Sequence, residues 1–465
     1  VRPAGSPCEQ GTAPAATLLV PYFEVDSASD VGLDTLVGIT NVDDDPLVAH
    51  MVVWNVDAWS VFSFNIYLTG YDIATFSMRD ILIHGRLPNN GCATAASRFT
   101  TRYIDCNGDG AYFGQEWTRN DGMFSSPFGA YDIACYEPVP PAVLADWQCK
   151  LSIGSYDGWN DDFVGYLTVD HALTCGYGLP DALPVPYFRT DYLDTDGDGV
   201  RDHGVLENGN VLMGDILYYD HDAMRSDGVP AVHIEAWGEQ NALAGHSWGS
   251  RPSDWADDGV STFYYKYEYI AGFPLHDARE PLPLRWSFRH IGNASFDGGT
   301  TVDVWRSHNP LIDHWYIQGG PCAWYDAGGS AYTVLYNPNS GYLGYARPII
   351  ETWDEDGNKA QSGGGPCTPP PVTGFDLLFL ATQRVEVETP DWPLVDESGW
   401  MTLEFDTDRF CCGTGLGNAF DQSWVTVRYS ALNRYSAAIN PASILGGCAF
   451  DRDDDTGAYS LKPTH

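Results

Sequence analysis

Apolar and polar side chains alternate singly along much of the chain. Phe62, Phe64, Ile66 and Leu68 alternate with Ser63, Asn65 and Tyr67, and Met401, Leu403 and Phe405 with Thr402, Glu404 and Asp406. Val425, Val427 and Tyr429 alternate with Thr426 and Arg428, and Tyr265, Tyr267 and Tyr269 with Lys266 and Glu268. Successive side chains of an extended strand point to opposite faces, so this period predicts half-buried antiparallel strands. Turn-forming dipeptides punctuate the runs: Asn90-Gly91, Asp157-Gly158, Asp227-Gly228, Asp258-Gly259 and Asp297-Gly298. Only the stretch 211–219 has helical character. The pattern predicts an all-β fold of antiparallel β-sandwich domains, jelly-roll or immunoglobulin-like, with long loops.

The segment Leu18-Leu19-Val20-Pro21-Tyr22-Phe23 is echoed by Leu183-Pro184-Val185-Pro186-Tyr187-Phe188, each followed three residues later by an aspartate, Asp26 or Asp191. The echo suggests the opening strands of two related units, one over 17–180 and a second over 181–465. Proline lacks the N–H a ladder needs, so both copies are expected at a sheet edge or a strand start. Residues 362–374 form a Pro/Gly-rich loop or linker by composition. Residues 1–16 are rich in Ala, Pro and Gly and read as a flexible arm. With 17–24, that arm has the form of a donor strand for a neighbouring subunit's sheet. The alternative is a frayed terminus before an ordinary first strand.

Charge narrows the classes of partner. The 465 residues carry 63 acidic side chains against 24 Lys plus Arg, a formal net charge of −39. Nucleic acid and anionic membrane surfaces need clustered positive charge, so neither is an expected partner. Hydrophobic residues still make up 44% of the chain, which excludes a solvated acidic coil. No apolar run reaches the roughly 18–20 residues of a membrane helix. The acidity reads as a solvating coat over an aromatic-rich β core.

The 11 cysteines, Cys8, Cys92, Cys106, Cys135, Cys149, Cys175, Cys322, Cys367, Cys411, Cys412 and Cys448, show no C-x-x-C spacing. Scattered among Gly-, Pro- and Asp-rich loops, they predict disulfides in an oxidising compartment, with pairing open. An odd count leaves one thiol for a second chain or buried and free, with Cys8 and the Cys411–Cys412 pair as candidates. Val1 suggests a mature chain after cleavage of a secretion signal, and hence an extracellular or cell-surface location.

Leu19-Val20-Pro21-Tyr22-Phe23, Thr35-Leu36-Val37-Gly38-Ile39-Thr40-Asn41 and Phe64-Asn65-Ile66-Tyr67-Leu68 with Asp72 resemble segments of bacterial secreted, β-rich surface proteins that are largely uncharacterised. Thr382-Gln383-Arg384-Val385-Glu386-Val387 followed by Gly399-Trp400-Met401 is similar to theirs too. The likeness covers the two ends of the chain better than its middle. It implies an extracellular bacterial protein with a β fold, and no catalytic residue.

Two loops carry candidate metal chemistry. Asp105, Asn107, Asp109 and Glu116 fall at positions 1, 3, 5 and 12 of an EF-hand-type calcium loop, with Gly110 at the sharp turn and Ala111 offering its carbonyl. Asp194, Asp196, Asp198 and Asp202 fit positions 1, 3, 5 and 9 of a second loop, with Gly199 at 6 and Val200 offering its carbonyl. This one resembles the loops of thrombospondin type 3 and dockerin repeats. Closely spaced carboxylates repel unless a cation such as Ca²⁺ lies among them. The clusters at Asp43–Asp45, Asp354–Gly357 and Asp451–Asp455 lack full loop spacing and read as solvated turns.

Gly245-His246-Ser247-Trp248-Gly249 matches the nucleophile elbow of esterases, but neither the apolar strand before it nor the helix after it is present. No pair of carboxylates stands out for glycoside hydrolysis. Aromatic–aspartate neighbours at Trp353-Asp354, Trp324-Tyr325-Asp326 and Tyr156-Asp157 could stack on sugars and bond their hydroxyls, or fill sandwich cores. The N-glycosylation sequon is Asn293-Ala294-Ser295. The expected function is a non-catalytic extracellular structural protein: a calcium-stabilised, disulfide-linked subunit that self-assembles into a bacterial surface layer or fibre. The alternatives are a carbohydrate-binding or adhesion protein and a secreted hydrolase.

Overall fold

The computed structural model describes residues 13–88 apart from 57 and 59, then 124–126, 129–130, 139, 141–153, 162–172 and 206–236 apart from 223. Beyond these it describes 263–264, 279, 282–283, 285–292, 298–307, 314–318, 324–325, 331–336, 349–361, 381–387, 392, 394, 396–405, 422–432, 435–441, 450–452 and 459–461. In chain order the elements are β1 (Thr17–Val25), β2 (Asp34–Asn41), β3 (Leu47–Asn55), β4 (Ser60–Leu68), β5 (Ile73–Ser77), α1 (Met78–Leu82), β6 (Phe124–Ser126), β7 (Gly129–Ala130), α2 (Pro141–Ile153) and β8 (Phe163–Ala172). There follow β9 (Leu212–Asp220), β10 (Arg225–Pro230), β11 (Val232–Ile234), β12 (Arg285–Ile291), β13 (Gly299–Arg306), β14 (His314–Gln318), β15 (Trp324–Tyr325) and β16 (Ala331–Tyr336). The last are β17 (Ile349–Trp353), β18 (Lys359–Gln361), β19 (Thr382–Glu386), β20 (Ser398–Glu404), β21 (Ser423–Ala431), β22 (Tyr435–Ile439), β23 (Phe450–Arg452) and β24 (Tyr459–Leu461). The fold is all-β, and every strand pairing among the described residues is antiparallel.

A seven-stranded sheet, β11-β1-β8-β3-β4-β6-β7, is central. In β3, Leu47, Ala49, Met51 and Val53 join one hydrophobic cluster, whereas Val48, Val52 and Trp54 join another. Both phases of the alternation are therefore buried. One cluster is shared with the four-stranded sheet β10-β9-β2-β5 and with both helices, through Val37, Ile39, Ile216, Ile81 and Trp147. The other is shared with β12-β20-β17-β18 and β19-β13-β21-β22, through Trp286, Met401, Leu403, Val302 and Val427. Aromatic contacts stitch this second core: Trp54 stacks on Tyr166, and Tyr166 meets Trp305 edge-on at 6.0 Å.

Three expectations are corrected by this architecture. Residues 212–220 form a strand, not a helix, because β2 and β10 take up both of its backbone edges. Asp227-Gly228 lies inside β10, and the chain turns between β9 and β10 at residues 221–224 instead. Strand β1 is not an edge strand over Thr17–Leu19, where β8 and β11 flank it. Its Pro21 is accommodated where the register shifts between Val20 and Phe23, a bulge that needs no N–H from the proline. The freed Pro21 carbonyl accepts the Thr382 hydroxyl at 2.5 Å. Strands from beyond residue 180 also join the first ones: β9 pairs with β2 and β10, and β11 with β1.

The arm also begins earlier than expected to be structured. Ala13, Ala15 and Ala16 are buried, and the N–H groups of Ala15 and Ala16 donate to the carbonyls of Leu212 and Ile234. Residues 13–25 are thus built into the chain's own sheets. The echo of β1 at 183–188 and the Tyr265–Tyr269 run lie outside the described residues. Helix α2 was not legible as such. Its Val143, Trp147 and Leu151 lie on one buried face, and Trp147 stacks on Phe62 at 3.9 Å.

Candidate functional site

The ten residues of the two predicted calcium loops, Asp105, Asn107, Asp109, Ala111 and Glu116 with Asp194, Asp196, Asp198, Val200 and Asp202, lie outside the described residues. So do Ser247 and Asn293. Among the described residues no group of three or more His, Cys, Asp or Glu side chains converges as a metal site. Two weaker acidic clusters are turns. Asp43 Oδ1 accepts the Asp44 N–H at 2.7 Å, and Asp354 accepts the N–H groups of Asp356 and Asn358 and the Asn358 side-chain amide. Those bonds, the Asn358 side chain first, hold the exposed Asp354 carboxyl below the usual carboxylate range.

Elsewhere a side chain does what a cation does in a calcium loop. The buried Arg79 guanidinium donates to the carbonyls of Asp26 and Leu33, at 3.0 and 2.9 Å, and of Ser29, gathering the β1–β2 loop around itself. Asp34 caps the start of α1, accepting from the Arg79 N–H at 3.0 Å and the Ser77 hydroxyl at 2.6 Å. Burial outweighs these bonds and pushes the Asp34 carboxyl up.

The densest charge cluster lies between β13, β19 and β21 on one side and β1, β9 and β10 on the other. Asp303, 1% exposed, accepts from Arg384 Nε at 2.7 Å and from Arg428 Nε at 2.6 Å. Arg384 continues to Glu24 at 2.6 Å, and Arg428 to Asp227. The guanidiniums also lie over aromatic rings, Arg384 4.3 Å from the Tyr22 centroid and Arg428 4.0 Å from that of Tyr218. Burial alone would raise the Asp303 carboxyl, but the two guanidiniums outweigh it and hold the group below its ordinary range. Burial, and then Glu24, push the Tyr22 phenol well up, so it stays a neutral donor to Glu24. The cluster is a clamp between sheets. A second buried network ties β1 to β8: the Thr17 hydroxyl donates to Asp170 at 2.5 Å, as does Tyr264 at 2.8 Å, while Arg279 Nε donates to Thr17 at 2.9 Å.

No family model, characterised protein or solved structure matches the chain. Two solvent-facing surfaces of the molecule offer candidate sites.

The first is the outer face of β10-β9-β2-β5. Ile73 and Thr75 of β5 stand opposite Thr40 and Gly38 of β2, which stand opposite Met213 and Asp215 of β9. Leu217 and Tyr219 extend the face, and Ile73 is 63% exposed. Asp215 is the one exposed charged side chain in these central rows. Strand β5 ends the sheet, and its sequence Ile-Ala-Thr-Phe-Ser carries no charge or proline.

The second is the outer face of β12-β20-β17-β18. Arg289, Trp400, Trp353 and Lys359 stand in register as one row across four strands. Trp286, Phe288, Met401 and Ile350 point inward from the same strands. Trp400 is 47% exposed, and Lys359 Nζ lies 5.4 Å from the Trp353 ring centroid. Lys359 pairs with Glu351 at 2.6 Å and Arg289 with Glu355 at 3.3 Å. Gly399 makes the row possible, because a Cβ there would lie 1.9 Å from the Trp353 carbonyl oxygen. Trp353 was a candidate from sequence, whereas its partner Trp400 was not. The signal was present: Met401, Leu403 and Phe405 point inward, so Trp400 must point out.

Proposed function

We propose that this chain is a non-catalytic, extracellular structural protein of a bacterial surface, a β-sandwich subunit that associates with further copies of itself. The observation that supports this reading is the outer face of the sheet ending in β5, whose second edge pairs with no strand among the described residues. Copies of a chain with net charge −39 repel one another over most of their surface. They approach at least cost where charge is sparse, and the rows through Ile73, Thr75, Leu217 and Tyr219 hold a single exposed carboxylate. An uncharged edge strand is also the kind that pairs with a second strand unless it is guarded. Because 17–24 is occupied within its own sheet, the contact is assigned to β5 and not to donation of β1.

Light scattering tests this directly. The full chain is expected to scatter as an oligomer, and the double variant Ile73→Glu/Thr75→Glu as a monomer with an unchanged melting temperature. A wild-type chain that is monomeric at high concentration sinks the reading.

The loops at 105–116 and 194–202 are proposed to bind Ca²⁺ and to hold long connections together, with disulfides as further links. Cys149, on α2, is proposed as one of the cysteines that form them. A cation that binds only the folded state adds about 2.7 kcal/mol at a hundredfold excess over Kd. Chelation is expected to lower the melting temperature, and Asp196→Asn/Asp198→Asn to blunt that response. An unchanged melting temperature on chelation would make both loops ordinary turns.

A further inference from the structure

We infer that the outer face of β12-β20-β17-β18 is a binding platform for a neutral saccharide chain. Large aromatic side chains on a sheet normally serve its buried face, and here that face is already filled by Trp286, Phe288, Met401 and Leu403. Trp353 and Trp400 are therefore additional to the core. They stand directly opposite one another in the register of β17 and β20, which places both indoles on the outer face. Such a surface offers an apolar plane to a ligand that is flat and itself apolar on one side.

The rim selects the class of ligand. The Lys359 ammonium, the Glu351 carboxylate and the Thr402 hydroxyl supply donors and acceptors beside the rings, as a ligand rich in hydroxyl groups requires. Arg289 and Lys359 are paired with Glu355 and Glu351, so the platform offers no excess of positive charge. A nucleic-acid strand would also stack on tryptophan, but it needs a positive groove along its backbone. An anionic polysaccharide would meet the field of a chain at −39 with no local excess of cations to offset it. A neutral sugar chain, with apolar ring faces and hydroxyl edges, fits both features. This site is separate from the β5 face and does not depend on self-association.

The full chain should be run through native gels containing soluble neutral glucans, mannans and xylans, and through gels containing polygalacturonate. Retardation by at least one neutral glycan is expected, about tenfold weaker in Trp400→Ala and unchanged in Tyr435→Ala, which alters an exposed aromatic on another sheet. Should Trp400→Ala lower the melting temperature, two measurements replace it. Trp400→Phe is expected to weaken binding partially, and in the unmodified chain the glycan should protect Trp400 from N-bromosuccinimide oxidation read by mass spectrometry. The inference is overturned if no neutral glycan retards the chain, if retardation is confined to polygalacturonate, or if it survives loss of both tryptophans. It is also overturned if Trp400→Ala changes the oligomer mass and leaves glycan retardation intact, since the face would then be a protein contact.

Discussion

Asp303 shows how much a single buried carboxylate can hold. Its two oxygens take bonds from Arg384 and Arg428, which in turn reach Glu24 and Asp227, so removing the charge leaves two guanidiniums facing each other out of water. Asp303→Asn is expected to cost about 3–5 kcal/mol at neutral pH, read by denaturant unfolding. The pH dependence has a definite sign. The folded-state value lies below the ordinary carboxylate value, so the clamp contributes fully above about pH 4 and is lost as pH falls through the lower, folded value. The stability gap between wild type and Asp303→Asn should therefore persist at neutral pH and narrow in acid. In the sequence, Asp303 between Val302 and Val304 reads as an ordinary solvent-facing position of a strand. Only the arrival of Arg384 and Arg428 from neighbouring strands, and of Glu24 and Asp227 from other sheets, makes that polar face an interior.

Among the elements, α2 and β9 are the least legible in the sequence, for opposite reasons. The helical spacing of Val143, Trp147 and Leu151 is present in the sequence, with Pro141 opening the first turn. It was overshadowed by the strand periodicity on all sides. Trp147 fills the space over β4 and packs face to face with Phe62. Trp147→Ala is expected to destabilise by about 3–5 kcal/mol, with loss of near-ultraviolet circular dichroism from the stacked pair. Strand β9 has apolar residues in both phases, since Leu217 and Tyr219 face out while Ile216 and Tyr218 face in. That doubling erases the period of two. Its identity was settled by β2 and β10, which pair with it along both edges. The outward apolar residues that spoiled the pattern are those assigned here to contact with a second copy. Trp400 is the converse case: the alternation in β20 was clean and placed the ring outside, but its pairing with Trp353 depended on the register of strands some fifty residues apart in sequence.

For the whole molecule, the central sheet is the organising unit because both of its faces are covered. It cannot be completed from the first 180 residues, since β11 covers the start of β1, and β9 with β10 complete the sheet over Val37 and Ile39. A fragment covering 17–180 is therefore expected to be insoluble or to bind a hydrophobic dye strongly when purified alone. A soluble fragment with a cooperative melting transition would show that 17–180 folds as a unit of its own. The Val-Pro-Tyr-Phe sequence at 20–23 and 185–188 is a local echo of strand chemistry, whereas a domain is defined by which strands share a core.

Alternation of side chains was enough to determine that this chain is all-β, and where β4, β20 and β21 lie, because period-two burial is a local property of an extended backbone. Composition was enough to set a charge of −39. Strand order, the burial of both faces of the central sheet, the Asp303 clamp and the Trp353–Trp400 row were decided by tertiary structure alone. Each depends on register between strands distant in sequence, and register is selected by the joint burial of many side chains and not by any one segment.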